Sequence, residues 1–478
     1  MSTDRPVGNA GRVAPPAAPL TGSFRDMHGF DTSDDLFGER ALAFSQTRMR
    51  LDADGVVLGH PVPRQELDAR VGASITEGGL GSAEVLRIFT EVLEPACLSV
   101  DFPRYFAYVP AAPTEVSIIA DMVVSACSIY AGTWLEGAGA VWAENQALAW
   151  LARLAGLPEG AGGCFVSGGT AGNLSALVAA RFAAASATGR SPAGAWALVA
   201  GESAHTSTRT TASVMGVELI TVPGRKLTGE ALRPVLEAHR DRVFAVAATG
   251  GSTNLGLVDD LASVAEVCHD AGVWMHVDAA YGGAALAAPS VRWRFDGIER
   301  ADSFIVDPHK WLFAPFDACA LLYRHPEVAR AAHAQHASYL DLDTEIAGPE
   351  DWNPSDYAIH LSRRARGLPF WFSVASYGTR AYGDAIEACL AVVAAGADII
   401  RASDHLELVC EPELSVIAFR RIGWTPHQYG AWSRHMLDTG TALVVPSACD
   451  GEAMLRICIV NPCTTVDDVR LVLDSLRD

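Results

Sequence analysis

The sequence predicts an α/β protein with a mainly parallel central sheet in a large domain, followed by a smaller α+β C-terminal domain. From about residue 160, short apolar runs alternate with segments of helical periodicity, which is typical of helices layered on a parallel sheet. After residue 371 the pattern changes to a helical run through residue 397 and then to short strands. With 478 residues, half of them hydrophobic, the chain can fill one large core and one smaller core.

Six apolar runs are the predicted strands of the large sheet: 196–200, 217–221, 243–248, 274–277, 303–306 and 318–323. Two more strands, 414–420 and 454–460, belong to the smaller domain. We therefore expect residues 1–112 to form an N-terminal tail and a further segment that precedes the domains, residues 113–372 to form the large domain and residues 373–478 to form the small domain. The first twenty residues are rich in Pro, Ala and Gly and predict a disordered tail without a signal peptide.

Charge and cysteine usage limit the classes of partner. The formal net charge of −20 argues against nucleic acid or an anionic membrane as partner, because both require concentrated Lys and Arg. The longest apolar stretch, 117–130, is too short and too interrupted to cross a bilayer. The ten cysteines show no CxxC spacing and predict reduced thiols and a cytoplasmic location.

Two charged residues stand directly after predicted strands. Lys310 lies in a Pro-containing turn past 303–306, and Asp278 ends the run 274–277. Ligands of parallel sheets bind beyond the carboxyl ends of strands, where His205 and Thr253 are also expected. A lysine held in a rigid turn can form a Schiff base with an aldehyde, and an aspartate can pair with a ring nitrogen. The pair therefore indicates a pyridoxal phosphate site.

Each of these residues also has a simpler interpretation. A lysine in a turn is usually solvated, and an aspartate there usually caps a turn. His276 and Asp278 share one strand face and are alternative metal ligands, but no further His, Cys or Glu cluster completes a first shell, so no metal is predicted.

The glycine-rich run 167–173, Ser-Gly-Gly-Thr-Ala-Gly-Asn, precedes a helical segment. Its glycines permit a tight turn that aims free amide groups at a phosphate on a helix N-terminus. The run matches neither a Walker A loop nor the dinucleotide-binding fingerprint. Most turns of this type bind nothing.

The sequence resembles the group II pyridoxal-phosphate-dependent amino-acid decarboxylases, the family of aromatic-amino-acid and glutamate decarboxylases, because many of its motifs occur in the same order along the chain. The motifs are Tyr-Phe-Ala-Tyr-Val-Pro at 105–110, the glycine-rich run, Ala-His at 204–205, Ala-Thr-Gly-Gly-Ser-Thr at 248–253, the Asp278 and Lys310 motifs, Leu-Ser-Arg-Arg-Ala-Arg at 361–366 and Leu-Arg at 455–456. The resemblance implies a fold-type I enzyme that uses pyridoxal 5'-phosphate (PLP) and decarboxylates an amino acid to its amine.

The resemblance also implies a role for each matched residue. Lys310 forms the Schiff base, Asp278 pairs with the ring nitrogen and His205 stacks on the ring. The other implied cofactor contacts are Thr170, Ala171, Gly172, Thr253, Ser303 and His309. One departure is Asp307, where the family has asparagine, since a carboxylate beside a phosphate is unfavourable unless it bonds elsewhere.

Substrate contacts and assembly are implied by the same resemblance. Tyr108, Val109 and Pro110 occupy the stretch that faces the substrate, which is an aromatic amino acid by preference, with acidic amino acids and diaminobutyrate as alternatives. The resemblance implies a homodimer in which an N-terminal segment within residues 1–112 clasps the partner and both chains build each site, so 101–112 is expected near the subunit boundary.

The segment 339–363 is polar and contains Gly and Pro, and it is predicted to be a loop that closes over the site. The resemblance implies that Tyr339 protonates the substrate carbon after decarboxylation, with Tyr357 as the alternative donor. Without that acid the same chemistry leads to oxidative deamination. Another PLP reaction, such as β-elimination or amino transfer, and a non-enzymatic protein with an accidental lysine turn are the remaining alternatives.

Overall fold

The computed structural model describes residues 37–49, 57–335 and 351–477. The chain divides into two compact units, one of residues 1–50 and 61–97 and one of residues 51–60 and 98–478. In the described part of the first unit, the helices are α1 (Phe37–Met49), α2 (Arg64–Val71) and α3 (Ser82–Ile88), which continues into a π-helical turn at Phe89–Leu93. The rings of Phe44 and Phe89 pack edge to face, 6.1 Å apart.

The second unit contains a seven-stranded sheet. Its strands are β1 (Gly162–Val166), β2 (Ala197–Gly201), β3 (Glu218–Val222), β4 (Val243–Thr249), β5 (Trp274–Asp278), β6 (Ser303–Val306) and β7 (Cys319–Tyr323). They lie in the order β1-β7-β6-β5-β4-β2-β3, and β7 runs antiparallel to both neighbours. All six predicted strands are confirmed, with ends that shift by one residue at most; β1 was not among them. The predicted α/β class is confirmed.

Helices cover both faces of this sheet. They are α4 (Glu115–Cys127), α5 (Trp134–Leu154), α6 (Gly169–Thr188), α7 (Thr206–Met215), α8 (Gly229–His239), α9 (Leu261–Ala271) and α10 (Pro326–His333). Strands β2, β4, β6 and β7 are buried along their whole length. This two-sided burial is the reason that these strands are continuous apolar runs rather than alternating ones.

A second sheet lies in the C-terminal part of the same unit. Its strands are β8 (Leu406–Leu408), β9 (Val416–Arg421), β10 (Ser447–Cys449) and β11 (Glu452–Cys458). In the sheet they lie in the order β10-β11-β9-β8. The accompanying helices are α11 (Leu368–Tyr377), α12 (Thr379–Arg401), α13 (Pro426–Asp438) and α14 (Val466–Asp474). The predicted helical run is two helices, because Gly378 at φ +81° interrupts it. The boundary at residue 372 falls between the two sheets and stays a prediction.

The stretch 101–112 packs on the C-terminal part of its own chain. The Phe106 N–H donates to the Leu443 carbonyl at 2.9 Å, and the Cys458 N–H donates to the Phe106 carbonyl at 3.0 Å. The side chains of Phe106 and Ala107 are each 1% exposed, whereas Tyr108 is 61% exposed. Most of this stretch is therefore core of its own chain. Within the described residues, no helix is long and apolar enough to cross a membrane.

Candidate active site

A cavity of about 460 Å³ opens where the parallel strands of the large sheet end. Seven of the nine predicted cofactor contacts line it: Thr170, Ala171, His205, Thr253, Asp278, His309 and Lys310. These residues come from five separate segments of the chain. The strand order brings them together, as expected for an α/β sheet that binds a ligand beyond the carboxyl ends of its strands.

Lys310 reaches the cavity from a tight turn after β6. Its Nζ lies 2.9 Å from Oδ2 of Asp307, and the Asp307 side chain is only 2% exposed. Burial lowers the pKa of Lys310, but the neighbouring carboxylates, Asp307 foremost, outweigh burial and leave the pKa above its ordinary value. Asp307 therefore does bond elsewhere, and its partner is the lysine.

Asp278 ends β5 and is held by two hydrogen bonds. The Asn173 amide donates to Oδ2 at 2.7 Å, and the Ala280 N–H donates to Oδ1 at 3.2 Å. Each carboxylate oxygen therefore accepts one hydrogen bond. The structure thus presents an oriented carboxylate to the cavity.

A buried chain of hydrogen bonds supports Asn173 from behind. Asn173 Oδ1 lies 2.8 Å from His276 Nε2, His276 Nδ1 lies 2.9 Å from Ser303 Oγ, and the Trp274 indole donates to Ser303 Oγ at 2.9 Å. At one end of the chain the Asp278 carboxylate can only accept a hydrogen bond, and at the other end the Trp274 indole can only donate one. These two ends determine which atom donates and which accepts in each hydrogen bond between them. His276 carries its proton on Nε2, and its Nδ1 accepts from Ser303.

Two consequences follow for His276. Burial lowers its pKa to about 4, in agreement with a neutral ring. Both ring nitrogens are engaged in hydrogen bonds, Nε2 with Asn173 and Nδ1 with Ser303.

The same network reaches His205. Asn173 also donates to Ser207 Oγ at 3.0 Å, and Ser207 Oγ lies 2.8 Å from His205 Nδ1. His205 is the N-cap residue of α7, where its Nδ1 accepts the Ser207 N–H at 3.2 Å. Nδ1 is therefore an acceptor, and a neutral His205 has its proton on Nε2. One buried amide thus positions both Asp278 and His205.

The glycine-rich run forms the N-terminus of α6. Gly168 is the N-cap residue, and the first helical hydrogen bond runs from the Gly172 N–H to the Gly168 carbonyl at 3.0 Å. The N–H groups of residues 169–171 are thereby left as the free donors of the helix end. They suit an anion such as a phosphate, because the helix dipole is positive there.

Two predicted cofactor contacts need correction. The Gly172 N–H is committed to the helix, and a Cβ at Gly172 would lie 2.8 Å from Ile305 Cγ2, so this glycine serves close packing on the sheet. Ser303 is fully buried at the start of β6, whereas Lys310 follows the end of that strand. The four-residue strand spans about 10 Å from end to end, and Ser303, at its start, supports His276 instead.

Four further predicted residues that the structure describes, Tyr108, Val109, Pro110 and Tyr357, do not line this cavity. Tyr108, Val109 and Pro110 lie outside it, and the Tyr108 carbonyl accepts from Arg456 at 2.7 Å. Tyr357 is 5% exposed and stacks on Trp352 with 4.2 Å between ring centroids, which places it in a core cluster. Tyr339 lies outside the described residues.

Some cavity residues were not anticipated from the sequence. Asn173 and Ser207 belong to the network, and Phe316 and Asp317 line the cavity, where Asp317 pairs with Arg366. Asn173 stood within the quoted glycine-rich run. Its role was missed because only the helical turn after Gly169 directs its side chain toward Asp278.

Comparison with known proteins agrees with this geometry. Residues 73–422 match the family described as "Pyridoxal-dependent decarboxylase conserved domain". The chain belongs to this family. An aromatic-L-amino-acid decarboxylase from Bacillus atrophaeus is 28% identical over 84% of this chain and 86% of its own length. An L-2,4-diaminobutyrate decarboxylase from Rhizobium meliloti is 29% identical over 84% and 83%. The crystal structure of Oryza sativa TDC with PLP and tryptamine superposes with a TM-score of 0.86 at 24% identity, over 94% of this chain and 99% of that one.

The family assignment confirms several expectations. The protein is a PLP-dependent carboxy-lyase of fold-type I that acts on an amino acid. The cavity residues fit the cofactor: free amides at a helix N-terminus suit its phosphate, an oriented carboxylate suits its ring nitrogen, and a lysine suits its aldehyde.

Proposed function

We propose that the protein decarboxylates an L-amino acid, aromatic by preference, to its amine, with Lys310 as the residue that links to the cofactor aldehyde. Lys310 carries the proposal. The sequence contains only two lysines, and the other, Lys226, forms an ion pair with Glu413 at 3.1 Å and does not line the cavity. Lys310 is therefore the one primary amine of a side chain that the cavity offers.

The surrounding residues suit distinct tasks. Asp278, oriented by the Asn173 amide, would pair with the ring nitrogen of the cofactor and keep a proton on it. Bound PLP then supplies an electron sink for the bond between the α-carbon and the carboxylate. The amides of residues 169–171, with Thr170, Ala171 and His309, would hold the phosphate, while His205 and Thr253 would face the ring. Holding the carboxylate bond perpendicular to the ring selects this reaction over others.

The charges in the cavity favour an aromatic substrate over a diamino acid. Among the described residues, the three carboxylates that line the cavity are all engaged: Asp278 by Asn173, Asp307 by Lys310 and Asp317 by Arg366. A second substrate ammonium would find no free counter-charge there. Phe316, which is 54% exposed at the cavity, offers an apolar surface instead.

A panel of L-amino acids, with carbon dioxide and amine measured, tests the substrate class. We expect an aromatic amino acid to give the highest kcat/KM. Preferred turnover of diaminobutyrate or glutamate would contradict the substrate class but not the reaction. Release of pyruvate and ammonia without carbon dioxide would instead point to β-elimination.

Borohydride reduction of the holoenzyme followed by peptide mass mapping tests the lysine assignment. The reduced cofactor should be found on Lys310 and not on Lys226. Lys310→Ala should abolish turnover and the visible absorbance of the bound cofactor, whereas Lys226→Ala, the matched control, should keep both. Asp278→Ala should slow turnover strongly because the ring nitrogen loses its counter-ion. An active Lys310→Ala enzyme would overturn the assignment.

Tyr339 is the proposed acid that protonates the substrate carbon, since a phenol can give up a proton where a phenyl ring cannot. Tyr339→Phe should still bind the cofactor but make less amine and more aldehyde, ammonia and peroxide. Tyr357→Phe is the control, because Tyr357 is buried in the core. If the wild-type enzyme consumes oxygen in step with carbon dioxide release, oxidative deamination is the native reaction.

We also propose a homodimer in which the N-terminal segment contacts the partner. Helices α1 and α2 contain no buried residue, and Phe37, Leu42, Val85 and Phe89 are each 41–50% exposed. Such apolar exposure on short helices indicates an interface. Light scattering should give twice the chain mass, and Phe89→Glu should weaken the dimer. A stable, active monomer would contradict the shared-site arrangement. The cytoplasmic location stays a prediction.

A further inference from the structure

The turn that carries Lys310 also carries a second charged group. The Lys310 N–H donates to the Asp307 carbonyl at 3.0 Å, which closes a β-turn with Pro308 in its second position. Proline suits that position because its φ is preset. The turn brings its first and last residues together, and Asp307 Oδ2 lies 2.9 Å from Lys310 Nζ.

Asp307 depends on this lysine for its counter-charge. Its side chain is 2% exposed, and its Oδ1 has no hydrogen-bond partner in the described structure. The nearest other basic group is His309 Nε2 at 3.7 Å, but burial lowers the pKa of His309 and favours its neutral form. A buried carboxylate without a counter-charge is strongly unfavourable. The carboxylate therefore favours the ammonium form of Lys310.

We propose that Asp307 is a positioning residue that holds the free amine of Lys310 in its charged form. The inference rests on the proposed role of Lys310 as the cofactor-linking residue. An amine must be unprotonated to attack an aldehyde, so a lysine held as an ammonium by an ion pair reacts slowly. If a substrate arrives as an ammonium and replaces Lys310 at the aldehyde carbon, its nitrogen would give up two protons, and the departing Lys310 nitrogen would take up two and leave as an ammonium. Asp307 would then stabilise this ammonium and keep Lys310 from attacking again.

The other groups that face Lys310 define the expected shift. Burial lowers the pKa of Lys310, and Asp307, Asp278 and Cys319 raise it, in that order of size after burial. Burial and Asp307 raise the pKa of the Cys319 thiol well above its usual range, so this thiol is neutral. Asp278 is then the remaining anion when Asp307 is replaced. In Asp307→Asn, burial should therefore dominate.

The two-lysine sequence permits a direct measurement. Cofactor-free protein labelled with ¹³C at lysine Cε should give two side-chain signals, and Lys226→Arg assigns them. The chemical shift of the Lys310 signal is followed with pH. Removal of an opposite charge within about 4 Å shifts a pKa by about 1–3 units, so the Lys310 midpoint in Asp307→Asn should fall by that amount. The control Asp317→Asn should leave the midpoint in place, because Asp317 pairs with Arg366.

A second readout is the rate at which visible absorbance develops when PLP is added at pH 7. Each unit of lowered pKa increases the unprotonated fraction about ten-fold, so Asp307→Asn should link the cofactor at least about ten-fold faster. An unchanged midpoint in Asp307→Asn overturns the proposal. If this variant does not fold, the wild-type titration decides, because a Lys310 midpoint below the ordinary value of about 10.4 overturns it as well. Failure of the proposed function is distinct, since wild-type Lys310 would then never link PLP.

Discussion

Replacement of His276 should change how stability depends on pH. His276 is fully buried, and its pKa is lowered to about 4 from an ordinary value of about 6.5. Between these two values the unfolded chain binds a proton that the folded chain does not. Stability from this residue is therefore complete above about pH 6.5 and is lost as the pH falls toward 4.

The magnitude follows from the size of the shift. A difference of about two and a half units corresponds to about 3 kcal/mol at pH 4, and to about 2 kcal/mol at pH 5. The main cause is burial, which removes the hydration that a charged imidazolium would need. A proton on Nδ1 would also face the Ser303 hydroxyl, which already donates to that atom and accepts from Trp274. Protonation forces this buried hydroxyl to give up its arrangement.

Urea unfolding of the cofactor-free protein, followed by tryptophan fluorescence, tests this reasoning. We expect His276→Gln to be less stable than wild type at pH 7.5, because the amide cannot keep both hydrogen bonds that the ring makes to Asn173 and Ser303. At pH 5 the gap should narrow by about 2 kcal/mol, since glutamine does not titrate. His427→Gln, at an exposed site on α13, is the matched control and should track the wild type. A gap between His276→Gln and wild type that is the same at both pH values would refute the buried neutral ring.

Three further predictions concern buried polar contacts. Asn173→Ala should lower the free energy of unfolding by about 2–4 kcal/mol in urea and weaken PLP retention, because Asp278 loses its 2.7 Å donor; retention equal to wild type would contradict the network. Arg363→Met should cost about 3–5 kcal/mol, since it leaves Glu144 charged and buried, and adding Glu144→Gln should recover part of the loss. Asp259→Asn should cost about 1–3 kcal/mol, because one amide N–H must face a backbone N–H that Asp259 now accepts; a neutral effect in thermal unfolding would count against it.

The strands and the position of the main site residues could be predicted from the sequence. Strand β6 was predicted with its observed ends, because two-sided burial demands an uninterrupted apolar run that is visible in the sequence. The same local rule placed Lys310 and Asp278 beyond strand ends, and the order of strands in an α/β sheet then brings such ends together. The α/β class followed from the same alternation of strands and helices.

The tertiary structure decided which neighbours these residues meet. Gly172 looked like a phosphate contact, yet packing against Ile305 is what requires a glycine there. Ser303 lies at the start of β6, whereas the cavity lies beyond the end of that strand. A resemblance between motifs does not show at which end of a strand a residue lies. In the sequence, Asp307 was notable only as an unfavourable carboxylate beside the expected phosphate, and its pairing with Lys310 is seen only in the structure.

The physical reason is that hydrogen bonds and ion pairs between distant segments depend on three-dimensional register. Asn173 and Asp278 are 105 residues apart, and only the packing of α6 on the sheet brings them within 2.7 Å. Local sequence determines the period and polarity of each element, which is why the strands and the lysine turn were predictable. The partners of Asn173, His276 and Asp307 arise from the way these elements pack, and so they had to be read from the structure.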